Sequence, residues 1–207
     1  MSREPQQSDL FDAPQALPQG LLYVPDFLTR EEEDALLAHI APLPLREAAF
    51  REYFAKRRVA HFHDGADAPR YDDGGADSFT SGPLPAFLAV LREKVAERLG
   101  VAPSRFVHAL VSEYRPGTPI GWHRDKPQYG IVAGVSLEGF GRMRWRPYAQ
   151  RGSRHNVSLE LAPRSLYVMR GAIRWQWQHS MPPMRELRYS ITMRTRAAPD
   201  EREGLSL

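Results

Sequence analysis

Hydrophobic positions along the chain change period twice, and those changes predict its layout. Leu21, Leu22, Tyr23 and Val24 form a short apolar run that predicts a strand opening at Gly20. Thr29 and Glu32 have capping-box spacing, and Leu36, Leu37 and Ile40 follow at helical intervals until Pro42 and Pro44. A second helical stripe, Leu88, Leu91, Val95 and Leu99, predicts a helix over Leu84 to Leu99 that Gly100 closes. From Arg105 onward the period falls toward two. The runs FVHALVSEY, YGIVAGVSL, GRMRWRP, HNVSLEL, SLYVMR, RWQWQH and RYSITMRTR are separated by Gly and Pro turns and predict short strands. Two helices followed by many strands give an α+β fold class, with a sandwich or barrel in the C-terminal half.

Between the halves, residues 45–81 are basic and aromatic, then rich in Gly and Asp, as expected of a surface flap or lid. Residues 1–19 are polar and rich in Pro and Gln, which predicts a disordered tail. One domain over 20–197, with its strand core at about 105–196, and a C-terminal tail at 198–207 complete the expected organisation.

Composition narrows the chemistry. The chain has 207 residues and no cysteine, so disulfides, iron–sulfur clusters, thiol nucleophiles and zinc–cysteine sites are excluded. Any metal must be held by histidine, carboxylate and water. The N-terminus lacks a signal-peptide core and no apolar run reaches membrane-span length, so a soluble cytoplasmic monomer with no membrane partner is expected. Net charge is only +3, yet Gly141 to Arg196 holds many arginines, no lysine, and only Glu160 and Glu186 as acids. Such a field attracts nucleic acid or another polyanion; a solvated arginine-rich surface is the plainer alternative.

Three segments carry candidate chemistry. In His123-Arg124-Asp125, an extended backbone turns the imidazole and the carboxylate to one side and Arg124 to the other. Far downstream, Trp175, Trp177 and His179 alternate within RWQWQH, which places His179 at the rim of an aromatic wall on one strand. Two histidines and one carboxylate form the facial triad that leaves open positions on non-haem iron(II). Third, Arg188, Ser190, Thr192 and Arg194 share one face of RYSITMR. If buried, two arginines on one face need anions, and a dicarboxylate such as 2-oxoglutarate supplies one at each end. The alternative leaves both arginines at the solvent ends of an exterior strand.

Together these segments resemble the AlkB family of iron(II)- and 2-oxoglutarate-dependent oxidative demethylases. Tyr114-Arg-Pro-Gly117, Trp122-His123-Arg124-Asp125 and Gly134-Val-Ser-Leu137 resemble its first core strands. Pro163 through Met169-Arg-Gly171 to Trp177-Gln-His179 resembles the stretch before its distal histidine, and Arg188 to Arg194 its closing R-x-N-L-T-F-R motif. The likeness runs from about Leu21 to Arg196. It implies a double-stranded β-helix, a jelly-roll variant, with a substrate lid. It further implies His123, Asp125 and His179 as iron ligands, Tyr114 and Arg188 on the distal carboxylate of 2-oxoglutarate, and Arg194 near its other end. The implied reaction consumes O2 and 2-oxoglutarate, releases succinate and CO2, and hydroxylates a C–H bond; an N-methyl carbon leaves as formaldehyde.

This chain departs from the family pattern at three places. Ser112 and Ser190 stand where many members carry Asn in the 2-oxoglutarate site, and a hydroxyl has the shorter reach. Pro127 stands where members that repair DNA carry an acidic residue that helps recognise the damaged base. In the expected lid, Tyr53, Phe54, Arg57, Arg58, His61, Phe62, His63 and Tyr71 mix cations with aromatics. Phe62, His63 and Tyr71 are the candidates to stack on a flipped base, unless they only pack the lid onto the barrel. His61-x-His63 reads as lid structure rather than a metal pair. Alkylated DNA or RNA is the expected partner. A modified tRNA base or protein side chain is the alternative substrate, and a non-enzymatic nucleic-acid-binding jelly roll the third reading.

Overall fold

The computed structural model describes residues 17–50, 53–64, 80–149, 156–199 and 201. Among these residues are twelve strands and three α-helices. β1 (Leu21–Val24) leads into α1 (Arg30–Ile40), whose capping box joins the Thr29 hydroxyl to the Glu32 N–H and the Glu32 carboxylate to the Thr29 N–H. β2 (Arg46–Phe50), β3 (Tyr53–His63) and β4 (Thr80–Pro83) precede α2 (Ala86–Leu99). That helix ends at Gly100 with φ 64°, the left-handed turn a glycine cap allows.

The remaining elements are β5 (Phe106–Tyr114), β6 (Ile120–His123), β7 (Tyr129–Leu137), β8 (Gly141–Pro147), β9 (Val157–Leu161), β10 (Leu166–Met169), α3 (Ala172–Gln176), β11 (Trp177–Met181) and β12 (Arg188–Arg196). They build two facing sheets. The major sheet has the order β1-β10-β7-β12-β5-β3-β2, with β4 beside β3; the minor sheet has the order β6-β11-β8-β9. Two antiparallel sheets with N-terminal helices laid on one of them make a jelly-roll core of the double-stranded β-helix type, in an α+β chain.

Strand alternation explains the layering. On β7, Ile131, Ala133, Val135 and Leu137 pack against Leu36, Ile40, Leu88, Leu91 and Val95 of the two helices. Val132, between them, belongs to a second cluster inside the sandwich with Met143, Trp145, Leu161, Tyr167 and Met181. β12 divides in the same way. Ile191 and Met193 join the helix side, leaving Arg188, Ser190, Thr192 and Arg194 for the interior. The anion-seeking face of that strand is therefore enclosed.

Two expectations need correction. RWQWQH is not one strand: Gly171, at φ 57°, ends β10, and Ala172–Gln176 turn into the short helix α3. Ile173, Arg174 and Trp175 are buried consecutively there, a pattern that a one-faced strand cannot give. Trp175 thus does not share a strand face with His179; only Trp177 does. Secondly, the expected flap is in part sheet. The second half of β3 pairs with β5 from Arg58↔Glu113 to His63↔His108, deep in the major sheet.

Candidate active site

His123 is the last residue of β6, and His179 lies directly opposite it on β11 in the minor sheet. Their ring centroids are 4.2 Å apart with planes tilted by 54°. Asp125 follows in the loop after β6, its side chain only 5% exposed. One ligand atom from each of the three lies within 4.8 Å of the others. The structure therefore brings together the three residues expected to hold a metal.

Their hydrogen bonds prepare lone pairs. The His123 Nδ1–H donates to the Gly121 carbonyl at 2.9 Å, which leaves Nε2 free to ligate. Asp125 Oδ1 accepts from Arg194 Nε at 2.8 Å and lies 2.7 Å from Arg194 Nη2. Its second oxygen, Oδ2, is buried without a hydrogen-bond partner, 3.5 Å from His179 Nε2. Burial, then the neighbouring His123, pushes the His179 imidazole down to about 3. Burial likewise lowers His123, against the opposing pull of Asp125. For Asp125, burial pushes up, but Arg194, His179 and His123 together hold the carboxyl well below the usual range. Two neutral imidazoles and an ionised carboxylate with one uncommitted oxygen are the donor set a divalent transition metal requires. This triad is the candidate metal site.

The cavity between the sheets, about 30 Å³, is lined by the triad together with Tyr114, Arg188, Ser190 and Arg194. Arg188 is buried at 1% exposure. Its Nη2 donates to Ser136 Oγ at 2.7 Å, while Nε has no partner and no carboxylate among the described residues pairs with it. Burial pushes this guanidinium down, with Tyr114 and Tyr167 opposing. A Cβ on Gly141 would strike Arg188 Nε and Cδ, so glycine at the head of β8 is what admits the side chain. Tyr114 pairs directly across from Arg188 on β5, and its hydroxyl accepts from Ser190 Oγ at 3.4 Å. Ser112 and Ser190 also face each other across the two strands; Ser112 Oγ is buried without a hydrogen-bond partner. A buried guanidinium beside a phenol and two hydroxyls suits a carboxylate.

Arg194, expected near the other end of 2-oxoglutarate, lines the same cavity as the triad and Arg188. It grips Asp125 and, through Nη1, contacts His108 Nδ1 at 3.2 Å. His108 Nε2 in turn lies 3.2 Å from His61 Nδ1, and the His63 ring packs 4.8 Å from that of His108. Burial, then Arg194, pushes His61 down to about 3. His61 and His63 thus form a buried imidazole cluster with His108 behind Arg194.

The substrate candidates separate. Phe62 is 5% exposed and packs in the helix-side core, which leaves it no open face for a base. His63 is buried against His108. Tyr71 lies outside the described residues. Of the other cations in that stretch, Arg57 lines the cavity with the triad, while Arg58 pairs with Glu113 at 3.2 Å.

One residue that the sequence did not reveal is Arg174 of α3. It is 3% exposed and donates to the backbone carbonyls of Gly130 (3.0 Å), Lys126 (2.7 Å) and Tyr129 (2.6 Å), with that of Asp125 at 3.4 Å. This clamp fixes the loop carrying Asp125 and Pro127. Nothing in GAIRWQ marks it, because its partners are main-chain atoms more than forty residues away.

Comparison with known proteins agrees with this geometry. The family described as the 2OG-Fe(II) oxygenase superfamily matches residues 20–197, and the chain belongs to it. Within that family it is AlkB-like in its relatives. Over 184 residues it is 27% identical to the alkylated DNA repair protein ALKBH8 homolog of Arabidopsis thaliana, covering 79% of this chain and 51% of that protein. Over 162 residues it is 26% identical to the probable RNA/DNA demethylase ALKBH6 of Danio rerio, covering 73% and 64%. A shorter match, 31% over 98 residues, joins it to uncharacterized protein L905 of Acanthamoeba polyphaga mimivirus, covering 41% and 46%. The chain thus spans roughly half to just under two-thirds of the length of these relatives. Among solved structures, OsALKBH1 superposes with a TM-score of 0.67 at 13% identity, covering 87% of this chain and all of that one. A Pseudomonas putida prolyl-4-hydroxylase gives 0.55 at 17%, covering 86% and 93%. At these identities the structural likeness is one of fold.

Proposed function

We propose that the chain is an iron(II)- and 2-oxoglutarate-dependent dioxygenase that oxidatively demethylates alkylated bases in DNA or RNA. The observation that carries the reading is the buried, unpartnered Asp125 Oδ2 facing His179 Nε2 in the same cavity as the carboxylate-free Arg188. His123, Asp125 and His179 would hold the metal, and Arg188 with Tyr114, Ser112 and Ser190 the distal carboxylate of 2-oxoglutarate. Bound iron supplies the oxidation: O2 is consumed, 2-oxoglutarate leaves as succinate and CO2, and a substrate C–H becomes C–OH. On an N-methyl carbon that product breaks its C–N bond and releases formaldehyde. Arg194 keeps Asp125 ionised and oriented throughout, and the Gly121 carbonyl keeps the His123 tautomer fixed. The names of the Arabidopsis and Danio relatives support a nucleic-acid substrate.

Pro127 favours keeping a second substrate in view. It offers no carboxylate beside the site, so a modified tRNA base or a protein side chain is the alternative target of the same chemistry. The test is formaldehyde release from DNA and RNA oligonucleotides carrying 1-methyladenine or 3-methylcytosine, with succinate followed in parallel. Formaldehyde that disappears with His123→Ala supports demethylation. Succinate without formaldehyde rejects those substrates and turns the search to the alternative.

A further inference from the structure

The outer face of the minor sheet carries a row of arginines, with Glu160 of β9 in register opposite Arg142. On β8, Met143 and Trp145 point into the sandwich, so Arg142, Arg144 and Arg146 all point outward. Residues two apart on a strand lie about 6.8 Å from each other, which gives three guanidiniums in a straight row. Among the described residues none forms an ion pair with a carboxylate. Arg144 Nε donates to Ser180 Oγ at 3.2 Å, and Arg146 donates to Gln178 Oε1 through Nε at 3.1 Å and Nη2 at 3.0 Å. Both are braced over the Trp122 ring, their guanidinium carbons 5.2 and 4.2 Å from its centre. The row is therefore pre-ordered.

Each end of the row meets an aromatic side chain. At the β8 N-terminus a groove of about 700 Å³ is lined by Phe140, Arg142, Arg144 and Arg185, with Glu160 and Glu186 as its acids. Phe140 is 52% exposed. Glu186 accepts the Phe140 N–H, so part of its charge is already committed. At the other end Arg124 stacks on Tyr148 at 3.9 Å. Arg124 stands between His123 and Asp125 in the chain, so this end of the row adjoins two of the candidate metal ligands in sequence.

We propose that this face, from the Phe140 groove along Arg142, Arg144 and Arg146 to Arg124, is a docking track for the sugar–phosphate backbone of single-stranded nucleic acid. Aromatics interleaved with a line of cations are what such a strand requires: phosphates on guanidiniums, bases on rings. A second copy of this chain is a poor occupant, since the same face turned on itself opposes arginine to arginine. An anionic lipid surface is poorer too, because among the described residues the row exposes only Phe140 and Tyr148 as large apolar side chains, one at each end. The polymer's identity rests on the function proposed above; its place on the protein rests on the sheet.

The test is fluorescence anisotropy of a labelled, unmodified single strand of about 20 nucleotides, enough to cover a site of the usual length, titrated across salt concentrations. The variant is Arg142→Gln/Arg144→Gln/Arg146→Gln. Losing three phosphate contacts is expected to reduce the salt slope by about 2 and to weaken binding at least about tenfold at low salt. Uncoupled conversion of 2-oxoglutarate to succinate should stay unchanged, which reports an intact fold. If it does not, Arg142→Gln alone, at an exposed position, should still lower the slope by about 0.7. Unchanged affinity and slope overturn the track, as does a variant that loses only binding to anionic phospholipid vesicles. The two proposals fail separately. Binding through these arginines without formaldehyde rejects demethylation and keeps the track; formaldehyde with unchanged oligonucleotide affinity and KM in the variant does the reverse.

Discussion

The two sheets of this protein face one cavity, yet they are built to different rules. Every residue of β7 is buried, and β5 and β12 are buried along almost their whole lengths, because helices cover one face of the major sheet and the minor sheet covers the other. β8 alternates buried and exposed positions, because the outer face of the minor sheet meets water. The division extends to the chemistry. The minor sheet supplies His123 and His179, while the major sheet supplies Tyr114, Arg188 and Arg194. Arg194 crosses the gap to hold Asp125, so the candidate metal site depends on the spacing of the sheets. A sheet covered on both sides can carry a charge only where a ligand or partner answers it. One covered on a single side can carry unanswered charge outside, where it becomes available to other molecules.

The strongest way to break this comparison is at the minor sheet's inner face. His179→Ala or His123→Ala is expected to abolish both metal binding and succinate formation; turnover surviving in either variant would sink the ligand assignment. Next is the major sheet's unanswered cation. Arg188→Ala should raise KM for 2-oxoglutarate at least about thirtyfold, since losing one partner of a buried charged pair costs about 2–5 kcal/mol. Unchanged KM would remove Arg188 from the cosubstrate site.

Smaller effects sharpen the contrast. Leu88→Ala, in the core between helices and major sheet, should cost about 2–5 kcal/mol in denaturant unfolding, against about 0.5 kcal/mol or less for Arg142→Gln outside the minor sheet. Equal costs would deny the difference in burial. The buried imidazoles add a pH dependence. Burial keeps His61 neutral down to about 3, whereas the unfolded chain protonates it near its ordinary value of 6.5. Between those values the unfolded state binds the extra proton, so stability falls as pH falls, by about 1.4 kcal/mol per pH unit for this group. In metal-free protein, His61→Gln should flatten the stability–pH slope over pH 6 to 4 by about that amount. A slope unchanged by the substitution would show that His61 is not held neutral.

Local rules were legible in the sequence. Strand alternation alone put Arg188, Ser190, Thr192 and Arg194 on one face and separated His123 and Asp125 from Arg124. The Thr29–Glu32 box and Gly100 fixed helix ends because their partners lie within a few residues. RWQWQH misled because a five-residue apolar-polar alternation fits a strand as well as a helix, and only the turn at Gly171 with burial of Arg174 on main-chain carbonyls decides between them. Phe62 misled for a related reason: an aromatic between two histidines does not say which face of its strand is covered, and the helix-side core covers it.

Residue types, their order and their periodicity therefore determined the class of fold and the chemical groups available to it. Tertiary structure alone decided which anion each arginine meets. Arg194 reaches Asp125, Arg174 meets carbonyls, Arg188 meets no carboxylate among the described residues, and Arg142 is exposed on the outer face opposite Glu160. Those outcomes depend on distances between segments tens of residues apart, and a side chain's own sequence neighbours carry no record of them.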